Sequence, residues 1–260
     1  MILTLLALAA QPAPNVPTAQ SCAQLARSQP EKAVEAAGAW RLAGGGLAAR
    51  HCLGLAYTAL ERWAPAAEAF AAAAAEAETA KDARRGEFWV LAGNAWLAAG
   101  DAAKARTALD SALVSGIGSG ELRGEAHLDR ARALVALGAL PAARTDIDLA
   151  LKLVPGDPFA WVLSSALALR EEQIARARAD IAKATELAPD DPDVLLQAGN
   201  VAGVSGEIEQ ARTLFGKAAK LAPDSPAGRA AAAALAANAG EVESAAPVQA
   251  KSGSPQTRSP

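Results

Sequence analysis

Small and large apolar residues return along this chain at fixed places in a 34-residue period. From Pro192 the chain carries Gly199 at position 8, Ala211 at 20, Phe215 at 24, Ala218 at 27 and Pro223 at 32. From Pro158 it carries Trp161 at position 4, and then Ala177, Ile181, Ala184 and Pro189 in the same last four places. Earlier units keep the pattern with Gly138, Ala143, Ile147, Ala150 and Pro155, with Trp89, Gly93, Trp96, Gly100, Ala105, Leu109 and Ala112, and with Leu53, Gly54, Tyr57, Trp63, Ala66 and Phe70. Small residues at such positions let two helices cross closely, and the large ones fill the gaps between them. Each unit therefore predicts two amphipathic helices, and a period of this size means stacked supersecondary units. The punctuation agrees. Lys152-Leu-Val-Pro-Gly-Asp-Pro158, Glu186-Leu-Ala-Pro-Asp-Asp-Pro192 and Lys220-Leu-Ala-Pro-Asp-Ser-Pro226 each read as a helix end, a proline that stops it, a capping residue and a proline suited to the next first turn. No β-branched run alternates with period two, so the fold class is all-α.

The pattern resembles the tetratricopeptide repeat (TPR) family, W-x2-L-G-x2-Y followed by A-x3-F-x2-A and a proline. The resemblance covers most of the chain, roughly 21–240, and implies a right-handed superhelical solenoid of antiparallel helix pairs. It departs from the pattern at Arg130-Ala131 and Ser164-Ser165, which stand where Leu-Gly is usual. The organisation expected is a degenerate helix pair at 21–46, five units at 47–80, 86–119, 124–157, 158–191 and 192–225, and a capping helix at 226–239. Solenoids need such a cap to shield their last apolar face. The Ser-, Pro-, Gln- and Gly-rich 240–260 reads as a disordered tail.

Composition sharpens this picture. Apolar residues make up 52% but aromatics only 4%, because alanine, the best helix former, supplies most apolar positions. With 25 basic and 28 acidic residues interspersed, the net charge of −3 makes no electrostatic case for nucleic acid or anionic lipid. The first ten residues form a short apolar run closed by small residues, too short to span a bilayer. They read as a secretory signal at 1–10 followed by a linker at 11–20, although no basic residue precedes Arg27. No later segment reads as an integral membrane span, so a periplasmic or otherwise exported protein is expected.

Sites for chemistry are scarce. His51 and His127 stand in different units, and neither has metal-ligand spacing. His127-Leu-Asp129 places its two polar residues on different helix faces. The glycine-rich 116–120 follows no strand and reads as a linker. No catalytic residue, cofactor or metal is expected. The resemblance sets Cys22 and Cys52 side by side on neighbouring first helices, and export then implies a disulfide between them.

In TPR arrays the first helix of each unit lines a concave groove through positions 2, 5, 6, 9, 12 and 13. Carried onto this chain, those positions give a polar cluster of Asn94, Asp129 and Arg132, apolar anchors at Leu128, Phe159, Val162 and Leu163, and Asn200 further on. The clamp by which some TPR domains hold acidic C-terminal tails is matched only at Asn94. Val90 and Asp129 replace its lysine and next asparagine, so an anionic carboxylate is a poor ligand. The function implied is a non-enzymatic interaction module of the cell envelope that binds a peptide or protein segment. The alternative is an accessory subunit bound permanently to an envelope enzyme or secretion complex. The sequence leaves partner identity and oligomeric state open.

Overall fold

The computed structural model describes residues 18–244. The expected signal at 1–10, most of the linker and the tail beyond 244 lie outside them. Thirteen α-helices and no strand occur among the described residues. The described residues divide into two compact units that meet in sequence between Pro155 and Gly156.

The first unit holds α1 (Ala19–Ser28), α2 (Pro30–Leu42), α3 (Gly46–Ala59), α4 (Trp63–Thr79), α5 (Arg85–Ala98), α6 (Ala102–Val114), α7 (Gly120–Ala136) and α8 (Leu140–Leu153). Consecutive helices pack on one another, and α1 also meets α3 as α5 meets α7. Two pairs of odd-numbered helices in this unit thus adjoin each other. The residues 120–123, an insertion in the period, lengthen α7 at its start, where Ser119 caps it by accepting from the Leu122 amide at 3.1 Å. Cys22 of α1 and Cys52 of α3 form a disulfide, with their Cα atoms 5.7 Å apart.

The second unit holds α9 (Pro158–Arg170), α10 (Ile174–Leu187), α11 (Pro192–Val204), α12 (Ile208–Leu221) and α13 (Pro226–Ser244). The acidic capping residues act as the sequence predicts. The Asp157 carboxylate accepts from the Phe159 amide at 2.9 Å, and that of Asp191 from the amides of Asp193 and Val194 at 2.9 and 3.1 Å. Pro158, Pro192 and Pro226 each occupy a first helical position, where a missing N–H costs nothing. The last helix, α13, continues past the expected end at 239.

Within a helix pair, position 8 and position 24 are fitted to each other. A Cβ at Gly54, Gly93 or Gly199 would run into the side chain of Phe70, Leu109 or Phe215 respectively, each at position 24 of the same pair. Where position 8 carries a side chain, Ala131 or Ser165, position 24 is Ile147 or Ile181, smaller than the phenylalanines though not than Leu109. At Gly54 and Gly199 the missing Cβ makes room for a ring that fills the core, and at Gly93 for a leucine.

Candidate interaction face

In the first unit, α5 and α7 bring three of the sequence-predicted residues together. Asn94 projects from the exposed side of α5 beside the carboxylate of Asp129 on α7, near enough to favour its charged form. Arg132, one turn along α7, donates to the same carboxylate at 3.0 Å. Asp129 is largely buried while Asn94 and Arg132 stay exposed, so a shielded acceptor fixes the outward-facing guanidinium next to the carboxamide. Burial pushes the Asp129 carboxyl above its ordinary range, and the opposing pulls of Arg132 and Asn94 do not cancel it. A carboxylate held in its less favourable state contributes little to stability at neutral pH. Asp129→Asn is therefore expected to leave stability at pH 7 unchanged or raise it by up to about 1 kcal/mol. Urea denaturation tests this, and a clear loss would mark the ion pair as a structural brace.

The apolar anchors divide. Phe159, at the start of α9, is 40% exposed, and Leu163 is half-buried. Leu128 and Val162 are only 3% and 8% exposed. This corrects their assignment as open anchors. Val162 packs with Ala168, Ala177, Ile181 and Val194 inside the second unit, so its side chain belongs to the core. Asn200 on α11 is half-buried and donates to Gln197 Oε1 at 3.3 Å. Gln197 in turn donates to Ser165 Oγ at 3.2 Å, and Ser165 to the Ala177 carbonyl at 3.0 Å. Asn200 is therefore the outer end of a buried relay of hydrogen bonds.

No protein-family model matches the chain, and no curated protein does. Solved structures match it over most of its length. PilF of Pseudomonas aeruginosa is 16% identical with a TM-score of 0.62, covering 81% of this chain and 95% of its own. TTC0263 of Thermus thermophilus, described as a thermophilic TPR protein, is 19% identical with a TM-score of 0.59, covering 74% of this chain and 100% of its own. YrrB, described as a TPR protein with an unusual peptide-binding site, is 19% identical with a TM-score of 0.52, covering 83% and 99%. The chain has the TPR fold.

Set against the TPR pattern, the two departures acquire partners that the sequence reading did not supply. Arg130, at position 7 of its unit, forks onto Asp146 at position 23, with Nε 2.7 Å from Oδ2 and Nη2 2.6 Å from Oδ1. Its Nη1 reaches Asp110 on α6 at 2.8 Å, and His127 Nδ1 lies 2.9 Å from Asp146 Oδ1. Burial alone would raise the Asp146 carboxyl, but the bonds from Arg130 and His127 outweigh it and hold it below its ordinary value. One TPR unit later, Ser164 at position 7 donates to Asp180 at position 23, at 2.6 Å. The shared sixteen-residue spacing of a polar residue and an aspartate was the available signal. His127 and Asp129 do point apart, to Asp146 and to Arg132.

Proposed function

We propose that the chain is a non-enzymatic protein-binding module of the cell envelope, which holds a peptide or protein segment against the outward face of its first helices. The observation that carries the reading is the cluster on α5 and α7. Arg132 stays exposed while tied to a buried carboxylate whose charge burial disfavours, with the exposed Asn94 beside it, an arrangement that packing does not require. A carboxamide and a guanidinium so fixed offer donors to a segment's main-chain carbonyls, and the free edge of the carboxamide offers an acceptor to its amides. In the second unit, and independently of that cluster, Phe159 offers an exposed aromatic surface of the kind that dominates interface energies. YrrB, with its peptide-binding site, gives a precedent on the same fold. The disulfide suits an oxidising compartment, and no helix among the described residues is long and apolar enough to cross a membrane. Export predicts a mature N-terminus near Gln11 in protein from the native host. An intact Met1 in cytosolic protein would contradict it.

Phe159→Ala tests the binding face. With so much of the ring already in water, the expected loss of stability is within about 1 kcal/mol. Affinity for a partner identified with the unchanged chain is expected to fall at least tenfold. Unfolding on the scale of a core deletion would make Phe159 part of the core. Unchanged affinity would move the contact to another surface.

A further inference from the structure

We infer that the Cys22–Cys52 bond is a latch: this bond, rather than packing, holds the α1–α2 pair on α3, and it closes only while the pair is undocked. Packing is too thin for the task. The fully buried side chains that α1 and α2 supply are Cys22, Ala26, Ala33 and Ala37, none larger than a cysteine. The larger Leu25, Val34 and Trp40 are only partly buried. Further along the same unit, the corresponding layers contain Phe70, Phe88, Trp96, Leu109 and Ile147. Polar fastening is missing too. Among the described residues, no ion pair or side-chain hydrogen bond joins α1 or α2 to another helix. With 10 residues, α1 is also shorter than the roughly 12–15 at which isolated helices become even marginal in water.

The order of events follows from burial. Cys22 and Cys52 are 1% and 2% exposed, so no reagent reaches either sulfur while α1 is docked. Oxidation must therefore take place on the open pair, through an exchangeable disulfide R–S–S–R. The Cys22 thiolate attacks one of its sulfurs and expels one thiolate R–S⁻. The Cys52 thiolate then attacks Cys22 Sγ in the mixed disulfide and expels the second. The two cysteines lose two electrons and their two thiol protons, and R–S–S–R becomes two R–SH. Once α1 docks, the new bond is sheltered from reductants. The inference leans on the export reading only for the source of the oxidant.

The test is hydrogen exchange on the full oxidised chain and on two double variants, Cys22→Ser/Cys52→Ser and Cys22→Ala/Cys52→Ala. The serine pair keeps the size of each side chain and the alanine pair keeps the site apolar, so a fall common to both follows the loss of the bond they share. In both variants amide protection across α1 and α2 is expected to fall on the order of a hundredfold, with α5 to α8 unchanged. A loss of less than tenfold in the alanine variant would show that packing holds the pair. Equal losses throughout α1 to α8 would show that the bond supports the whole unit and is no local latch. Either result overturns the inference. Reduced protein found in the native cytosol would instead sink the export reading, leaving this measurement as it stands.

Discussion

Replacing Phe215 with alanine is expected to destabilise the chain by roughly 3–5 kcal/mol. The ring is 4% exposed and lies among Leu195, Ala202, Ala211, Ala218 and Ala231. Its neighbours are mostly alanines, whose single methyls have no rotamers through which to swing into a void. Gly199, which the ring faces, has no side chain to move into the gap. The cavity therefore stays open, and both lost burial and lost contact count in full. Chemical denaturation monitored by circular dichroism reads the loss. A cost below about 1 kcal/mol would mean that α11 and α12 close over the gap.

Arg130→Met is expected to cost about 3–5 kcal/mol at pH 7, although it keeps much of the arginine stem. The change strands the Asp146 carboxylate, which is almost wholly buried, with His127 as its remaining partner. The second unit shows how such a site is filled without charge, since the matching positions 7 and 23 of its α11–α12 pair are Ala198 and Leu214. Arg130→Ala combined with Asp146→Leu is accordingly expected to recover most of the loss, because both charges leave together. A double variant as unstable as the single one would contradict this account. The pH dependence has a defined sign. A carboxyl held below its ordinary value stabilises the fold above the unfolded pKa of about 3.9, and that contribution is lost as pH falls through the lowered value. The unchanged chain is thus expected to lose this part of its stability only below about pH 4, while in the double variant that part of the acid dependence disappears.

Helix pairing was legible in the sequence because it is written in residue size. Glycine or alanine where helices cross and Phe215 or Ile181 in the gaps can be read with a ruler of 34 residues, and Asp-Pro at a boundary states its own capping chemistry. The site was legible in part. Asn94, Asp129 and Arg132 meet as position alone suggested, because positions 6 and 9 of adjacent first helices share a face. Leu128 and Val162 occupy equally favourable positions by number, yet both are buried. Repeat position fixes the direction of a Cα–Cβ bond, but not how far neighbouring side chains close over it. The link from Arg130 to Asp146 was missed for a related reason. Each residue alone reads as a solvated charge, and only the fold brings them within 3 Å.

The claim that a protein segment binds the first-helix face is tested most directly by placing a photoreactive side chain at Asn94 on α5 or at Thr107 on α6, and irradiating cells of the native host. Both positions are exposed in the same unit, on a first and a second helix of one pair. The account predicts a covalent adduct with a discrete envelope protein from position 94, lost when Arg132 is also replaced by alanine, and none from position 107. Adducts from position 107 alone, from both positions equally, or from neither would contradict it.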